Sequence, residues 1–193
     1  TLMPVGEYTK DEIREIAKDI NLRIANKPDS QEICFIPDKD YAKFITEYTG
    51  EEVKEGNFVT PEGKVIGKHK GIIHYTVGQR KGLNLAMGHP VFVLAIRPDT
   101  NEVVIGNADE VYSNKLYAGN LNFMSIEDLE GEMVVDAKIR YSHKGSKCTI
   151  RKVGEDKVEC VFEESQRAIT PGQAVVFYDG DYVVGGGTIL RDE

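Results

Sequence analysis

The spacing of hydrophobic positions changes near residue 57 of the chain. Before this point, apolar residues recur at helical spacing in two places. The first follows Thr9–Glu12, whose Thr-x-x-Glu pattern is typical of a capping box, and it predicts a helix over residues 10–20. The second begins at Tyr41 and predicts a short helix that Gly50 ends as a left-handed cap. We therefore expect a short N-terminal helical segment.

From about residue 57 onward the pattern is typical of short strands separated by turns. Turn-forming residues such as Pro98–Asn101 and Asp179–Asp181 separate the apolar runs, and this regular spacing favours a small closed β-barrel. A loose domain boundary is expected near residues 108–118, where Ala108–Glu110 and Ser113–Asn114 interrupt the pattern. The predicted strands are Pro90–Ile96, Glu102–Ile105, Met133–Tyr141, Lys147–Val153, Lys157–Phe162, Ala174–Tyr178 and Tyr182–Val184.

The charge of the chain is unevenly distributed. With 24 Lys and Arg against 32 Asp and Glu, the formal net charge is -8, which taken alone argues against a nucleic-acid-binding protein. Gly63–Pro98 (basic region 1) and Ala137–Gly154 (basic region 2) contain no acidic residue, and together they hold half of the basic residues and all four histidines. These regions are either solvated strands and turns or a surface that faces a polyanion, and charge alone leaves both alternatives open.

Composition excludes several protein classes. No apolar run approaches the roughly 20 residues of a spanning helix, so no membrane partner is expected. Three cysteines without a Cys-x-x-Cys pair argue against a disulfide scaffold or structural zinc, and they suit a reducing, cytoplasmic compartment. No neighbouring cysteine or carboxylate completes a metal site with His69 and His74. Gly185–Gly187 lacks the Lys-Ser/Thr and the helix of a phosphate loop, and it predicts close backbone packing in a barrel.

The three cysteines have different sequence surroundings. Cys160 shares a strand face with Val158 and Phe162, and Cys148 alternates with Ile150, so both cysteines are expected in a hydrophobic core.

Cys34 follows the polar, turn-forming run Asp29–Glu32. The segment Ile33–Ile36 is either a buried strand or a loop that presents the thiol at the edge of a core. Its acidic neighbours do not favour a nucleophile, because reactive cysteines lie in electropositive surroundings. If Cys34 is reactive, its activating positive charge must come from a basic region or from a missing partner.

The chain resembles the tRNA-specific 2-thiouridylases, the tRNA-uridine 2-sulfurtransferases that place sulfur on the wobble uridine of certain tRNAs. The resembling segments, in family order, are Met3–Gly6, Tyr8–Lys10, Asp29–Ile36, Gly67–Gly71, Tyr75–Leu83, Lys138–Tyr141, Thr170–Tyr178 and Gly185–Gly187. The chain starts at Thr1 and contains neither the SGGxDS loop of the family's ATP-pyrophosphatase domain nor that domain's first catalytic cysteine. The resemblance therefore implies the C-terminal portion of such an enzyme.

Together with the strand pattern, the resemblance predicts an α+β, mainly β, fold. It combines a short N-terminal helical segment, a small central β-rich domain and a C-terminal small β-barrel of the six-stranded type. The expected domains are residues 1–36, the tail of the catalytic domain with the persulfide cysteine loop, residues 37–112, the central domain, and residues 113–193, the tRNA-binding barrel.

The resemblance also implies roles for individual residues. Cys34 matches the family's second catalytic cysteine, which accepts a persulfide from a sulfur-relay donor protein and delivers the sulfur to the adenylated C2 position of the uridine. The missing cysteine then resolves the persulfide, which leaves a disulfide. Arg140, Tyr141 and Gln173 match tRNA-contacting positions. Further candidate contacts, by charge, are Lys68, His69, Arg80 and Lys81.

The cofactor implied by the resemblance is ATP, bound by the absent N-terminal domain, with no cofactor or metal site in this fragment. The fragment alone is expected to be inactive. Its expected partners are the anticodon region of wobble-uridine tRNAs and the sulfur-relay donor. The alternative is a non-catalytic RNA- or protein-binding β-barrel module in which Cys34 is structural. A stand-alone thiol redox protein is disfavoured, because no second cysteine lies nearby.

Overall fold

The computed structural model describes residues 2–28, 33–36, 38 and 40–191. The chain divides into two units, residues 1–51 and residues 52–193, and each is described by itself. Both α-helices lie in the first unit, whereas the second contains a separate sheet and a closed six-stranded barrel. The predicted α+β, mainly β, fold class is therefore confirmed.

The first unit contains two short helices, α1 (Lys10–Asp19) and α2 (Tyr41–Thr49). The predicted capping box is present, since the N–H of Thr9 donates to Glu12 Oε2 at 2.7 Å and the N–H of Glu12 donates to Thr9 Oγ1 at 3.4 Å. Gly50 ends α2 with a φ of 70°, as predicted. Neither of these helices contains a fully buried residue, so most of their apolar side chains are at least partly exposed.

Four strands of the second unit form a mixed sheet. They are β1 (Gly56–Val59), β2 (Val65–His69), β3 (Phe92–Arg97) and β4 (Glu102–Gly106). Their order is β2-β1-β4-β3, in which β1 and β4 are parallel and the other neighbours are antiparallel. The turn Pro98–Asn101 joins β3 to β4 as predicted, with Asn101 at a φ of 52°. The core beside this sheet contains Phe58, Tyr75, Leu83, Val91, Val93, Val103 and Ile105.

Six further strands close into a barrel. They are β5 (Tyr112–Phe123), β6 (Glu132–Lys138), β7 (Ser146–Gly154), β8 (Lys157–Arg167), β9 (Ala174–Asp179) and β10 (Tyr182–Ile189). Their order around the barrel is β5-β8-β7-β6-β9-β10, and β10 pairs with β5 to close the barrel. The interior is filled by a hydrophobic cluster that includes Leu116, Phe162 and Phe177. Cys148 and Cys160 are buried in this cluster, as predicted.

Two strands extend well beyond the sequence prediction, and three strands, β1, β2 and β5, have no counterpart among the predicted strands. No strand was predicted over the length of β5, because a bulge between Ser113 and Lys115 interrupts its alternation. β8 continues to Arg167, five residues past the predicted end. The prediction stopped early because the end of the strand is largely exposed and its polar residues show no alternation of apolar and polar positions. β10 continues to Ile189 through the glycine run, which has no side chains from which an alternation could be read.

Gly185–Gly187 lies in the middle of β10, where neighbouring backbone leaves no room for side chains. β-Carbons built at the three positions would lie 2.6 Å from Asn122 O, 2.5 Å from Val175 O and 2.7 Å from Gly119 O, respectively. Close packing of this kind excludes any larger residue. The predicted close backbone packing is confirmed.

A cluster of charged residues surrounds Glu159 on the outer face of β8. The carboxylate pairs with Lys115 and Arg151, and it accepts a hydrogen bond from Tyr117 Oη at 3.0 Å. These neighbours cover Glu159, so it is buried although it lies on the opposite strand face from Cys160. The hydrogen bond from Lys115 has the largest effect on the pKa of Glu159, and that from Arg151 has the second largest. Together they lower this pKa to about 2.

We expect the substitution Glu159→Gln to lower the melting temperature at pH 7 by several degrees, because two cations lose their shared counter-charge. The pKa in the folded state is about 2, below the ordinary value of 4.5, so the carboxylate stabilises the fold above about pH 4.5. This contribution is lost as the pH falls towards 2. Melting curves of wild type and variant should therefore converge in acid, and a difference that is independent of pH would contradict the assignment. Glu163→Gln, at an exposed position on the same strand, is the matched control.

Candidate functional site

Cys34 lies in a turn of the first unit. The N–H of Ile36 donates to the carbonyl of Ile33 at 3.0 Å, and the Cys34 side chain is exposed. Phe35 packs against Phe44 on α2, with 5.3 Å between the ring centroids, and Ile36 is buried. The buried-strand alternative for this segment is therefore wrong, and the exposed thiol immediately precedes Phe35, which contacts Phe44, and the buried Ile36.

The different exposure of the three cysteines predicts their reactivity. We expect iodoacetamide to alkylate Cys34 in the native protein at least tenfold faster than Cys148 or Cys160, because the barrel encloses the latter two. Peptide mass spectrometry after timed alkylation measures the three rates, and denaturant should make them similar. Equal rates in the native protein would contradict the described exposure. Asp29–Glu32, the polar run that precedes Cys34, lies outside the described residues.

Arg140 and Tyr141 lie in a turn after β6 rather than on a strand. The predicted strand Met133–Tyr141 is wrong at its end, since β6 ends at Lys138 and Ile139 is buried. The N–H of His143 donates to the carbonyl of Arg140 at 3.0 Å, so the chain bends back at this point. The side chains of Arg140 and Tyr141 are both exposed, and that of Tyr141 is completely so. The turn therefore presents a cation and an aromatic ring to solvent.

A buried glutamine holds this turn against the end of β8. Gln166 Nε2 donates to the carbonyl of Glu164 at 2.7 Å, which leaves Oε1 as the acceptor. His143 Nε2, at 2.9 Å, and Ser146 Oγ, at 3.3 Å, both donate to this oxygen. This network assigns the ring proton of His143 to Nε2, and His143 Nδ1 has no hydrogen-bond partner within the described chain. The Arg140–Tyr141 turn is thus fixed by side chains as well as by its backbone.

Gln173 lies at the same end of the barrel as the Arg140–Tyr141 turn. β9 and β6 are antiparallel neighbours with Lys138 opposite Val176, so the start of β9 is next to the end of β6. Gln173 immediately precedes β9 and its side chain is exposed. Its carbonyl accepts from the N–H of Ile189 at 2.8 Å, which fixes its position against β10. The structure thus places all three predicted tRNA-contacting residues at one end of the barrel.

Some cations of basic region 2 are paired with carboxylates, whereas Arg140 is not. Lys147 pairs with Asp136 at 2.9 Å, Lys152 pairs with Asp128, and Arg151 pairs with Glu159. Arg140 has no carboxylate within salt-bridge distance among the residues that the structure describes. Because an RNA phosphate is bound best by a cation that has no other counter-ion, this division favours the Arg140 end of the region as the polyanion-facing part.

His69 is not a surface contact. It is buried beneath the rings of Phe58 and Tyr75, with ring centroids 5.4 and 5.5 Å away, respectively. The N–H of Gly71 donates to Nδ1 at 3.0 Å, so Nε2 carries the proton and donates to the carbonyl of Asn101 at 3.1 Å. Burial lowers the pKa of His69, which keeps the ring neutral. The suggestion from charge that His69 contacts tRNA is therefore wrong.

Arg167 is a candidate that the sequence did not reveal. It ends β8 after Glu163 and Glu164, outside both basic regions, and it is exposed. Its carbonyl accepts a hydrogen bond from Arg140 Nη1 at 2.9 Å, and its own Nη2 donates to the carbonyl of Gly78 at 3.3 Å. Arg167 therefore contacts one residue from each basic region. An arginine at the end of an acidic strand was the available sequence signal, but its two partners depend on the tertiary fold.

The described residues do not supply a recognisable phosphate loop. Gly185–Gly187 lies within a strand and close to other backbone, so it does not fit the phosphates of ATP. The N-terminus of α1 is capped by its own Glu12. In the described parts of the chain, no group of three or more His, Cys, Asp or Glu residues could hold a metal ion. Among the same residues, none of the helices is sufficiently long and apolar to span a membrane.

Three family models match successive parts of the chain. A tRNA methyl transferase HUP domain matches residues 1–38, a tRNA methyl transferase PRC-barrel domain matches residues 42–107, and an aminomethyltransferase beta-barrel domain matches residues 113–189. Cys34 falls in the first match, Arg80 in the second, and Arg140 in the third.

Curated relatives are similar to nearly the whole chain. A protein of Lachnoclostridium phytofermentans named tRNA-specific 2-thiouridylase MnmA is 63% identical over 191 residues, which are 99% of this chain and 54% of that protein. Proteins with the same name from Carboxydothermus hydrogenoformans and Clostridioides difficile are 55% and 52% identical, over 98% and 99% of this chain and 52% and 53% of those proteins. The chain thus spans about half the length of the curated relatives that it matches.

Proposed function

Since the chain belongs to the tRNA-specific 2-thiouridylase MnmA family, we propose that it is the sulfur-carrying and tRNA-binding part of a tRNA-uridine 2-sulfurtransferase. The observation that carries this proposal is the contrast between Cys34, exposed in a turn, and the two cysteines enclosed by the barrel. The proposed reaction replaces the C2 oxygen of the wobble uridine by sulfur. The proposed compartment is the cytoplasm, where thiols are kept reduced.

Cys34 is proposed to carry the transferred sulfur as a persulfide. Its thiolate attacks the outer sulfur of a persulfide on a donor protein, so that a new S–S bond forms at Cys34 and the donor leaves as a thiolate. The outer sulfur of the Cys34 persulfide then attacks C2 of the adenylated uridine, and the former C2 oxygen leaves as part of AMP. The thiolate of a second cysteine attacks the inner sulfur of Cys34, so that the S–S bond to the transferred sulfur breaks, the sulfur stays on C2 and the two cysteines form a disulfide. Because Cys148 and Cys160 are buried, we assign the second cysteine, together with ATP binding, to the half of the family proteins that these 193 residues do not cover.

Arg140, Tyr141 and Gln173 are proposed to contact the tRNA at the end of the barrel. An exposed guanidinium forms a charge-assisted pair with a phosphate, and the Tyr141 ring suits stacking on an unpaired base. The Gln173 amide offers both a donor and an acceptor to a base or a ribose. Phosphate contacts position the RNA, whereas contacts with bases discriminate among sequences. The anticodon region, whose bases are unpaired and offer their edges to side chains, is therefore the proposed binding site on the tRNA.

We expect the substitution Arg140→Ala to weaken the binding of an unmodified wobble-uridine tRNA by about 1–3 kcal/mol, the cost of a lost charge-assisted contact. Fluorescence anisotropy at moderate salt measures the dissociation constant. Lys152→Ala removes the same charge from a residue that is already paired with Asp128, and it should change the affinity less than twofold. An Arg140→Ala variant that binds with wild-type affinity would count against this site.

A second candidate function is a non-catalytic RNA-binding module. The closed barrel and its neighbouring sheet form a unit that does not include Cys34, which favours a binding role that is independent of the cysteine. Binding of tRNA agrees with both functions, so sulfur transfer must distinguish them. A persulfide found on Cys34 by mass spectrometry, after incubation with a persulfide-bearing donor, supports the transferase and excludes the module as the complete function.

A further inference from the structure

We infer that the loop Gly78–Lys81 and the Arg140–Tyr141 turn form one continuous binding surface for the sugar-phosphate backbone of RNA, with Arg167 as the positioning residue that joins them. This inference rests on the proposed tRNA-binding function and extends it to basic region 1. It gives Arg80 and Lys81 a direct role in binding and Arg167 a role in fixing their position relative to Arg140.

Arg167 connects the two surfaces through both its backbone and its side chain. Its carbonyl accepts from Arg140 Nη1 at 2.9 Å, and its Nη2 donates to the carbonyl of Gly78 at 3.3 Å. The guanidinium carbon also lies 5.8 Å from the centre of the Phe92 ring, on β3. A planar guanidinium is needed to make the hydrogen bond and the ring contact together. The barrel and the sheet are thus joined at this residue.

The loop Gly78–Lys81 is held rigidly by the central sheet. The N–H of Gly78 donates to the carbonyl of Val93 at 2.7 Å, and the N–H of Val93 donates to the carbonyl of Gln79 at 2.9 Å. Gln79 Nε2 donates to the carbonyl of Lys81 at 3.0 Å, which closes the loop on itself. Upstream and downstream, Tyr75 and Leu83 are buried in the core. The exposed side chains of the loop therefore project from a fixed base.

The loop also fits closely against the barrel. Gly78 has a φ of 83°, and a β-carbon at this position would lie 2.7 Å from the β-carbon of Ala168, which follows Arg167. The N–H of Ala168 donates to the carbonyl of Val111, just before β5, at 2.9 Å. Glycine is thus required at residue 78 both for its backbone conformation and for this close approach. The position of the loop is set by the end of β8.

The cations at this junction have no internal counter-charge. Arg80, Lys81, Arg140 and Arg167 are all exposed, and in the described ranges none of them has a carboxylate within salt-bridge distance. Arg97, elsewhere in basic region 1, is by contrast paired with Glu102 at 3.5 Å. Unpaired cations on two rigidly joined loops suit a ligand with regularly repeated negative charge, and the sugar-phosphate backbone is such a ligand.

The first test measures the salt dependence of tRNA binding by the complete chain. The double substitution Arg80→Ala, Lys81→Ala should weaken the binding of an unmodified tRNA transcript about tenfold or more, and it should lower the slope of log K against log salt by about 2. The double substitution Lys147→Ala, Lys152→Ala removes the same charge from ion-paired residues, and it should leave the slope unchanged. A loop variant with wild-type affinity and slope would overturn the inference.

The second test separates positioning from charge. Arg167→Lys keeps the charge but loses the planar group that contacts Gly78 and Phe92, so it should weaken binding at least about fivefold while the melting temperature stays within about 2 °C of wild type. Wild-type affinity of this variant would overturn the positioning role. If the Arg140→Ala and loop variants both bind normally, the proposed tRNA-binding function fails as well. If Arg140→Ala loses binding but the loop variant binds normally, the inference of one joined surface is contradicted, whereas the proposed tRNA-binding function still stands.

Discussion

Replacing Cys34 by serine is expected to abolish the transfer of sulfur to tRNA, with a decrease of at least about a thousandfold in the rate of 2-thiouridine formation. A serine hydroxyl cannot form a persulfide, and no other described cysteine is accessible to replace the lost thiol. The measurement is mass spectrometry of nucleosides from digested tRNA, with the complete family enzyme that contains this chain. Binding of tRNA should remain within about twofold of wild type, because Cys34 is not one of the proposed tRNA contacts.

The control for this prediction is Cys160→Ala. This substitution removes a thiol from the barrel interior, and it should leave sulfur transfer intact at temperatures well below unfolding. A Cys34→Ser enzyme that thiolates tRNA at the normal rate would exclude the persulfide role of Cys34 and favour the binding-module function.

Substitution of Gly186 by alanine is expected to destabilise the barrel by about 3 kcal/mol. The added β-carbon would lie 2.5 Å from the carbonyl oxygen of Val175, and backbone atoms of a central strand pair cannot move away without a loss of their hydrogen bonds. Urea unfolding followed by far-ultraviolet circular dichroism should show a lower midpoint with a similar slope.

Gly154→Ala is the matched control, because it places the same methyl group at the end of β7. The nearest heavy atom to that β-carbon would be Lys157 Cβ at 3.4 Å, an ordinary contact. The free energy of unfolding should change by less than about 0.5 kcal/mol. Equal effects of the two substitutions would show that the close approach around Gly186 does not limit stability.

Features with a local cause could be predicted from the sequence. The capping box of Thr9 and Glu12 and the left-handed cap at Gly50 each depend on a few consecutive residues, and both are confirmed. The barrel was predictable because its strands mostly alternate and end at turn residues. The sequence could not decide whether the segment around Cys34 is a strand or a turn, because a short apolar run is typical of both.

Features that depend on the neighbour across a strand pair could not be predicted in this way. Lys147 faces Asp136 in the β6–β7 register, and Arg151 faces Glu159 in the β7–β8 register. These pairs remove cations from basic region 2, although no acidic residue occurs within its sequence. The role of Arg167 has the same origin, since both of its partners come from distant parts of the chain. Local charge therefore indicated the region, but the sheet register determines which cations stay free.

The position of β10 has a consequence for synthesis of the protein. β10 pairs with β9 on one side and with β5 on the other, so it closes the barrel. Until the ribosome has released residues 182–189, β5 and β9 each have an unpaired edge, and such edges pair readily with other chains. A message cut short before Tyr182 would therefore yield an open sheet prone to aggregation, rather than a smaller barrel.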